Sequence, residues 1–185
     1  MSKTFLLAIL TLLSGGPLAE PQIAEPLAVQ IEDADTLVVE LGGERYRVQL
    51  PDIDAPESTP NPKLLRDAER TGLPADALLE LGRAADAGMQ NLLGELAPYV
   101  LHFDPQARDR YGRVPGDLHD ASGRRLSNLL VERGYAVPLP GQSGERGAEL
   151  AAALAAARGG RRGLWGSQAA AFAAWASIAD TAPAR

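Results

Sequence analysis

Two acidic stretches of the sequence contain the residue types that bind hard cations and activate water. The first is EDADT, from Glu32 to Thr36, and the second is DIDAPE, from Asp52 to Glu57. A hard cation such as Ca²⁺ prefers several oxygen ligands, supplied by carboxylates, backbone carbonyls and water. An Asp-rich turn taken by itself is more typical of a solvated turn that caps its own backbone. Each stretch alone therefore leaves a metal site and a plain turn as alternatives.

A third stretch, DRYGR from Asp109 to Arg113, adds a fixed positive charge after a turn that contains glycine. A metal ion, a carboxylate and a guanidinium are together the groups that phosphodiester hydrolysis needs. The metal polarises the phosphoryl oxygen, the carboxylate orients or deprotonates the attacking water, and the guanidinium stabilises the charge of the transition state. The three stretches in one chain favour a catalytic site over three unrelated turns.

The first part of the chain is predicted to form β-strands, which would position these residues. Apolar and polar residues alternate through much of the first part of the chain, which is the period of a half-buried strand. Gly42-Gly43 predicts a hairpin turn between two such runs. Pro115 makes the last strand an edge or irregular strand. The five predicted strands are 27–33, 36–41, 44–50, 99–104 and 110–120.

Helices are expected to cover these strands. Leucine, alanine and methionine recur at helical spacing over 75–95, and shorter helical segments are predicted at 63–73, 125–134 and 145–160. Five short strands with helices after the third and the fifth predict an α+β, mainly β, fold. We expect a five-stranded Greek-key barrel of the oligonucleotide-binding type, capped by about three helices.

The first 19 residues have the pattern of a secretory signal peptide. Lys3 precedes an apolar run from Phe5 to Leu13, and small residues follow up to Ala19. The apolar run is too short to be a stable membrane anchor, and a buried N-terminal helix is the alternative. We expect cleavage after Ala19, a linker over 20–26, and an exported protein, periplasmic or extracellular, without a membrane association.

Composition and charge limit the remaining possibilities. The chain has 185 residues, which suits one domain, and it has no cysteine and therefore no disulfide framework. Its formal net charge is −6. An acidic chain is a poor electrostatic match for a polyanion, since affinity for phosphate comes largely from Lys and Arg. A monomer is expected.

Six motifs in the same order resemble the thermonuclease, or staphylococcal nuclease-like, family. They are Asp33-Ala34-Asp35-Thr36, Ile53-Asp54-Ala55-Pro56-Glu57, the Gly82 to Ala85 helix, Arg110-Tyr111-Gly112-Arg113, Asn128-Leu129-Leu130-Val131 with Gly134, and Gly163-Leu164-Trp165. The resemblance runs through most of 27–166 and implies the five-stranded barrel with three helices. It also implies Ca²⁺-dependent cleavage of DNA and RNA, with single-stranded nucleic acid as substrate and no sequence preference. Residues 167–185 are expected to be an Ala-rich tail or an extra helix.

The resemblance implies a role for each residue that matches the family pattern. Asp35 and Asp54 look like the Ca²⁺ carboxylates, and the backbone carbonyl of Ala55 looks like a third ligand. Glu57 looks like the group that positions or activates water. Arg113 looks like a phosphate-binding arginine.

One position departs from the family. Gln49 lies five residues before Asp54, where the family has a second catalytic arginine. Glutamine can donate a hydrogen bond to phosphate but carries no charge, and a phosphate-clamping arginine can be worth about 10³–10⁵ in rate. Arg47 lies on the same strand face. It either compensates for Gln49 or is a solvated residue paired with a nearby acid.

Other residues also leave alternatives open. Tyr111 either contacts the nucleotide or is a buried residue that holds the barrel together. His102 and His119 are not at paired metal-ligand spacing, so structural or surface roles are expected. Gln49 and the acidic charge allow a catalytically degenerate barrel that binds nucleic acid, a protein or a cation. A third possibility is a docking helix for a partner over 172–175.

Overall fold

The computed structural model describes residues 28–179. The predicted signal peptide, the predicted linker and residues 180–185 of the predicted tail lie outside the described residues. In the described part of the chain, no helix is long and apolar enough to cross a membrane.

The strands form a five-stranded sheet and a small two-stranded ladder. β1, β2 and β3 pair in antiparallel order, β3 pairs with β6 in parallel, and β6 pairs with β5 in antiparallel. The sheet order is therefore β1-β2-β3-β6-β5, and it is not closed by a ladder between β1 and β5 in the described residues. The strands are β1 Ala28–Asp33, β2 Thr36–Leu41, β3 Glu44–Gln49, β4 Ile53–Asp54, β5 Tyr99–Phe103, β6 Val114–Asp120 and β7 Val137–Pro138.

Alternation explains the first three strands, whose bounds agree with the sequence prediction within one residue. Val39 and Val48 are fully buried, while Glu40 and Arg47 on the opposite face are exposed. A short ladder between β4 and β7 was not predicted, because each of these strands has only two residues. The ladder pairs Asp54 with Val137 and fixes the start of the second acidic stretch against β7.

Pro115 predicted an edge strand or an irregular strand over 110–120; the edge position is wrong, and the strand begins at Val114 and pairs with β3 over only two residues. β6 lies between β3 and β5 in the sheet. Pro115 has no N–H to donate, and the parallel ladder with β3 accordingly contains only two register pairs, Val48 with Val114 and Gln49 with Pro115. The two pairs lie at the C-terminal end of β3 and place Gln49 beside the start of β6, which follows the turn with Arg113.

Six helices cover the sheet in the described residues, where about three were expected. α1 has a clear local origin, because Asn61 accepts hydrogen bonds from the backbone N–H groups of Lys63 and Leu64, Pro62 stands at the first turn, and Gly72 ends the helix at φ 70°. The helices are α1 Pro62–Thr71, α2 Ala75–Leu96, α3 Leu126–Glu132, α4 Gly144–Gly159, α5 Leu164–Ser167 and α6 Ala169–Ala179.

The C-terminal segment is a helix that packs within this chain. Phe172 and Trp175 of α6 are 0% and 1% exposed. Their rings stack with centroids 5.5 Å apart. The interpretation of 172–175 as a docking surface for a partner is therefore wrong, since these side chains contribute to the core.

One glycine of α2 positions the site directly. A Cβ atom at Gly82 would lie 2.1 Å from the backbone oxygen of Glu57. No side chain fits in that space, so only glycine allows α2 to pack against the loop that carries Glu57. The fold class is the predicted one: a mixed α+β chain whose five-stranded sheet is consistent with an oligonucleotide-binding architecture.

Candidate active site

The two acidic stretches meet at the end of β3. The backbone N–H of Leu50 donates to the carbonyl of Asp35 at 2.8 Å, and Thr36 pairs with Gln49 in the β2–β3 ladder. The hydroxyl of Thr36 donates to Oδ1 of Asp35 at 2.8 Å. Asp35 and Asp54 are only 4% and 3% exposed. The structure thus buries both predicted Ca²⁺ carboxylates at the same end of the sheet.

Asp33 is a second carboxyl group beside Asp35. Its Oδ1 accepts from the backbone N–H of Asp35 at 3.3 Å. Burial first, and then the charge of the Asp35 carboxylate, raise the pKa of Asp33 to about 9. A raised pKa favours the protonated form of Asp33, which lessens the negative charge beside Asp35.

Glu57 is held by the start of α1. Nδ2 of Asn61 donates a hydrogen bond to Oε2 of Glu57, and the same Asn61 caps the helix. Asp86 of α2 lies close enough that, after burial, the charges of Glu57 and Asp35 contribute to raising the pKa of Asp86. Glu57 is therefore a fixed carboxylate in an acidic environment.

Lys63 is the cation at the centre of this acidic environment, and the sequence analysis did not single it out. Its Nζ lies 2.9 Å from Oε1 of Glu57 and 3.6 Å from Oδ1 of Asp54. It also donates to the carbonyl of Ala55 at 3.4 Å and to Oδ2 of Asp67 at 3.2 Å. Burial opposes its charge, but the three carboxylates outweigh burial and raise the pKa of Lys63 above its ordinary value.

Asp67 and Trp175 support Lys63 from the side away from the sheet. Asp67 is 7% exposed and lies one helical turn after Lys63 on α1. Nε1 of Trp175 donates to Oδ2 of Asp67 at 3.2 Å. The ammonium of Lys63 lies 5.4 Å from the centroid of the Trp175 ring. α6 therefore reaches the candidate site through a single indole.

The predicted phosphate-binding residue, Arg113, is brought to the same place. Its Nη1 donates to Oε1 of Gln49, whose Nε2 donates to the carbonyl of Asp35 at 3.2 Å. Its Nε donates to Oδ2 of Asp109 at 2.9 Å. The side chain of Arg113 is 13% exposed. Gln49 thus links the guanidinium to the acidic turn, although Arg113 lies 64 residues later in the chain.

Arg47 does not reach this cluster. Its Nε donates to Oε2 of Glu32 at 2.7 Å, and Nη1 donates to the carbonyl of Tyr111 at 3.4 Å. This arrangement is the pairing with a nearby acid that the sequence analysis gave as one of two interpretations. The guanidinium is engaged beside the site and does not replace the missing arginine in this conformation.

Tyr111 is exposed. Its relative exposure of 58% rules out the interpretation as a buried residue that holds the barrel together. The guanidinium groups of Arg110 and Arg113 lie 4.8 Å and 5.4 Å from its ring centroid. An exposed aromatic ring with two guanidinium groups makes this loop a positively charged surface in an otherwise acidic chain.

The oxygen donors implied for Ca²⁺ fit a hard cation. Within 28–179 no group of three or more His, Cys, Asp or Glu side chains is arranged to hold a metal ion. The implied set is smaller, since it consists of Asp35, Asp54 and the Ala55 carbonyl. Asp54 and Ala55 already face one positive charge, the ammonium of Lys63. Their chemistry suits a hard cation such as Ca²⁺, and the Lys63 ammonium contacts two of the three, Asp54 and Ala55.

The two histidines lie elsewhere. The rings of His102 and His119 stack with centroids 4.2 Å apart, and they line an open cavity of about 300 Å³ together with Asp52 and Arg146. Burial, followed by the charge of His102, lowers the pKa of His119 to about 4. Neither ring lines the candidate active site.

Three residues of the site were missed by sequence reasoning, namely Lys63, Asp67 and Trp175. The only signals were that Lys63 is one of two lysines in the chain and that Asp67 follows it by four residues in a short amphipathic helix. Trp175 is 108 residues from Asp67. No local pattern reveals a contact over that separation.

Comparison with known proteins agrees with the resemblance. A family described as staphylococcal nuclease homologue matches 47–167, so Asp35 and α6 lie outside the matched range. Endonuclease YhcR of Bacillus subtilis (strain 168) is 28% identical over 147 residues, which cover 76% of this chain and 11% of that protein. Succinoglycan biosynthesis protein ExoI of Rhizobium meliloti (strain 1021) is 29% identical over 145 residues, which cover 78% of this chain and 68% of that protein.

The aligned part of this chain corresponds to about a tenth of the length of endonuclease YhcR and to about two thirds of the length of ExoI. The family match covers well over half of the present chain. It includes the loop with Asp54 and Glu57, the helix that carries Lys63, and the turn with Arg113. On these grounds the chain belongs to the staphylococcal nuclease homologue family.

Proposed function

We propose that this protein is an exported nuclease that hydrolyses phosphodiester bonds of DNA or RNA, depends on Ca²⁺ and has no sequence preference. The observation that supports it best is the contact chain from Arg113 through Gln49 to Asp35. These contacts join the guanidinium to the backbone of the turn that carries the buried Asp35 carboxylate. A cation and carboxylates are the combination that phosphodiester hydrolysis needs. Family membership supports the same reaction class.

The proposed roles follow from these contacts. Asp35, Asp54 and the Ala55 carbonyl would hold the ion, which when bound supplies Lewis-acid stabilisation of the phosphoryl oxygen. Glu57, fixed by Asn61, orients or deprotonates the attacking water. A carboxylate fixed in this way pays little reorganisation cost at the moment of reaction.

Arg113 would stabilise the charge that develops on the phosphate. Its Nε is held by Asp109 and one Nη by Gln49, so the guanidinium has a fixed direction and retains N–H groups for a ligand. Gln49 in this arrangement is a positioning residue for Arg113. A second arginine at that place would put two guanidinium groups in contact.

The exposed loop around Tyr111 supports nucleic acid as the substrate. Bases of a single strand stack on exposed aromatic rings, and Arg adds attraction to the backbone and the ring. Arg110 and Tyr111 offer both groups beside Arg113. The local positive charge thus offsets the formal net charge of −6 where substrate would bind.

A catalytically weakened binding module is the second candidate. Two observations favour it: Gln49 occupies the position of a family arginine, and Lys63 already forms ion pairs with Asp54 and Glu57. Such a module would bind single-stranded nucleic acid through the Tyr111 loop without cleaving it. Cleavage and binding assays on the same oligonucleotide separate the two functions.

The test is cleavage of a fluorescent single-stranded DNA in Ca²⁺ or in EDTA. We expect Ca²⁺-dependent cleavage by the native chain and a loss of about 10²-fold or more in Glu57→Gln, because a general base in phosphoryl transfer is lost. Glu69→Gln, on the exposed side of α1, is the matched control and should keep full activity. Binding of the DNA without cleavage under any condition would reject the nuclease and favour the binding module.

A further inference from the structure

We propose that Lys63 is a built-in cation of the candidate site, which occupies the place where a divalent ion would meet Asp54 and Ala55 and is displaced when that ion binds. The inference rests on the proposed function only for the identity of the ion, Ca²⁺. The displacement itself is argued from the contacts of Lys63.

The surroundings of the ammonium are those of a bound cation. Nζ faces oxygen atoms of Glu57 at 2.9 Å, Asp67 at 3.2 Å, Ala55 at 3.4 Å and Asp54 at 3.6 Å. Three of these atoms are carboxylate oxygens and one is a backbone carbonyl oxygen. The same two atom types form the ligand shells of hard metal ions. The Lys63 ammonium therefore takes the place of a bound ion of charge +1 among these oxygen atoms, but it is covalently attached to the chain.

The ammonium and a divalent ion cannot share these oxygens without strong repulsion. Lys63 is 19% exposed at its side chain, so the repulsion is poorly screened. Either the divalent ion stays out, or the ammonium moves away. The lysine side chain is a flexible four-carbon stem with a compact charge at its end. The ammonium can therefore move without a change of the backbone.

The structure also provides a place for the displaced ammonium. Asp67 lies one turn along α1 and is not among the ligands that the family resemblance implies. The ring of Trp175 offers its face at 5.4 Å from Nζ. A lysine that leaves Asp54 and Ala55 therefore keeps a carboxylate and an aromatic ring as partners.

The alternative is a permanent salt bridge that only stabilises the fold. In that case Lys63 would stay in place and any divalent ion would bind elsewhere or not at all. The two cases differ in what removal of the ammonium does to the affinity for Ca²⁺. They also differ in whether Ca²⁺ moves the ammonium away from Asp54 and Ala55.

The first experiment is isothermal titration calorimetry of Ca²⁺ into the native chain, Lys63→Met and Arg66→Gln. We expect Lys63→Met to bind Ca²⁺ about tenfold more tightly than the native chain or better, because a competing charge is gone. Arg66→Gln removes one positive charge from the exposed side of the same helix and should change the affinity less than about twofold, as expected for a screened surface charge. Equal or weaker binding by Lys63→Met, or no binding by any of the three, would overturn the inference.

The second experiment uses the native chain and does not depend on the folding of a variant. Lys63 is one of only two lysines, the other being Lys3, so an amine-reactive reagent followed by peptide mass spectrometry reports on Lys63 separately. We expect slow labelling of Lys63 in EDTA and several-fold faster labelling in saturating Ca²⁺, with no change at the N-terminal α-amine. An unchanged rate at Lys63 in saturating Ca²⁺ would reject displacement.

Failure of the inference and failure of the proposed function can be told apart. Tighter Ca²⁺ binding by Lys63→Met without DNA cleavage by any variant would uphold the built-in cation and reject the nuclease. Ca²⁺-dependent cleavage by the native chain, with unchanged Ca²⁺ affinity in Lys63→Met, would reject the built-in cation and uphold the nuclease.

Discussion

Lys63 and Arg146 are both largely buried cations that are surrounded by oxygen atoms, but the groups that supply these oxygen atoms differ. Their side chains are equally covered, at 19% and 18% exposure. Lys63 faces carboxylates and a carbonyl. Arg146 faces two carboxylates, an amide and a hydroxyl, which belong to Asp52, Glu149, Asn128 and Ser127.

The Arg146 cluster joins three parts of the chain. Nε donates to Asp52 in the loop after β3 at 3.1 Å, and Nη2 donates to the hydroxyl of Ser127 on α3 at 2.8 Å. The hydroxyl of Ser127 in turn donates to Oδ2 of the buried Asp117 on β6. Each nitrogen of the planar guanidinium donates in its own direction, Nε to Asp52, Nη1 to Asn128 and Glu149, and Nη2 to Ser127. A spherical ion cannot reproduce these directions.

The Lys63 cluster has no such directional demand. Its oxygens converge on one point charge, and carboxylates and carbonyls are ligands that a metal ion can use equally well. The difference teaches that burial and charge do not distinguish a structural cation from a replaceable one. The kinds of atoms around the cation do.

The largest expected effect is on stability at the Arg146 cluster. Arg146→Met should lower the free energy of unfolding by about 3 kcal/mol, because the guanidinium loses hydrogen bonds to Asp52, Asn128 and Ser127 at once. Urea denaturation, in the presence and absence of Ca²⁺, measures the loss. Ca²⁺ should restore none of it. A loss below about 1 kcal/mol, or recovery with Ca²⁺, would remove the distinction between the two clusters.

The next prediction is that Asp117 makes the free energy of unfolding depend on pH. Burial raises the pKa of Asp117 from 3.8 to about 6, although Ser127 and Arg146 oppose it. The folded state therefore favours the neutral acid. Its contribution is complete below about pH 4 and is lost as pH rises to about 6, which amounts to roughly 3 kcal/mol at about 1.4 kcal/mol per pKa unit.

Asp117→Asn cannot titrate and supplies the comparison. The unfolding free energy of the native chain minus that of the variant should fall by roughly 2 kcal/mol, the larger part of this amount, between pH 4 and pH 6.5. Denaturant curves at four pH values in that window measure the difference. A difference that is constant with pH would mean that Asp117 is ionised throughout, with the Arg146 cluster acting as its counter-ion.

A smaller effect is expected from Lys63 and should respond to Ca²⁺, unlike that from Arg146. Lys63→Met leaves three carboxylates without their cation and should cost about 2 kcal/mol in EDTA. A ligand that binds only the folded state restores stability by mass action. Millimolar Ca²⁺ should therefore recover most of the loss. A thermal melt of the native chain and Lys63→Met, each in EDTA and in Ca²⁺, measures both parts.

Much of the fold was predictable from the sequence because its signals are local. The alternation through β1 to β3 and the helical spacing of α2 predicted their bounds within one or two residues. The acidic stretches at Asp35 and Asp54 predicted a shared site. The structure brings the two stretches close enough that the charges of Asp35 and Glu57 both act on Asp86. The residue types were sufficient for this prediction, because short connections join Asp35 and Asp54 to β2 and β3. These two strands are neighbours both in the sequence and in the sheet.

The remaining part of the site depends on contacts between distant segments. Lys63 belongs to α1, and its role follows only from how that helix lies across the Asp54 loop. α6 has an Ala-rich sequence with little amphipathic pattern, so nothing local predicts that Trp175 reaches Asp67. Arg146 was not recognised for the same reason, since its partner Asp52 lies 94 residues earlier.

The smallest effect tests the link between α6 and the Lys63 cluster. Trp175→Phe keeps an aromatic ring but removes the N–H that donates to Asp67, and should cost about 1 kcal/mol, the typical value of one hydrogen bond to a buried group. Trp165→Phe is a matched control, because Nε1 of Trp165 is buried without a hydrogen-bond partner in the described residues. It loses a similar volume but no such bond.

Trp175→Phe should also change the Lys63 cluster, whereas Trp165→Phe should not. Without the indole N–H, Asp67 is held less firmly and Lys63 loses part of its support on that side. We therefore expect faster amine labelling of Lys63 in EDTA for Trp175→Phe and the native rate for Trp165→Phe. If both variants label alike, α6 contributes to the core alone, and the Lys63 cluster is independent of the C-terminal helix.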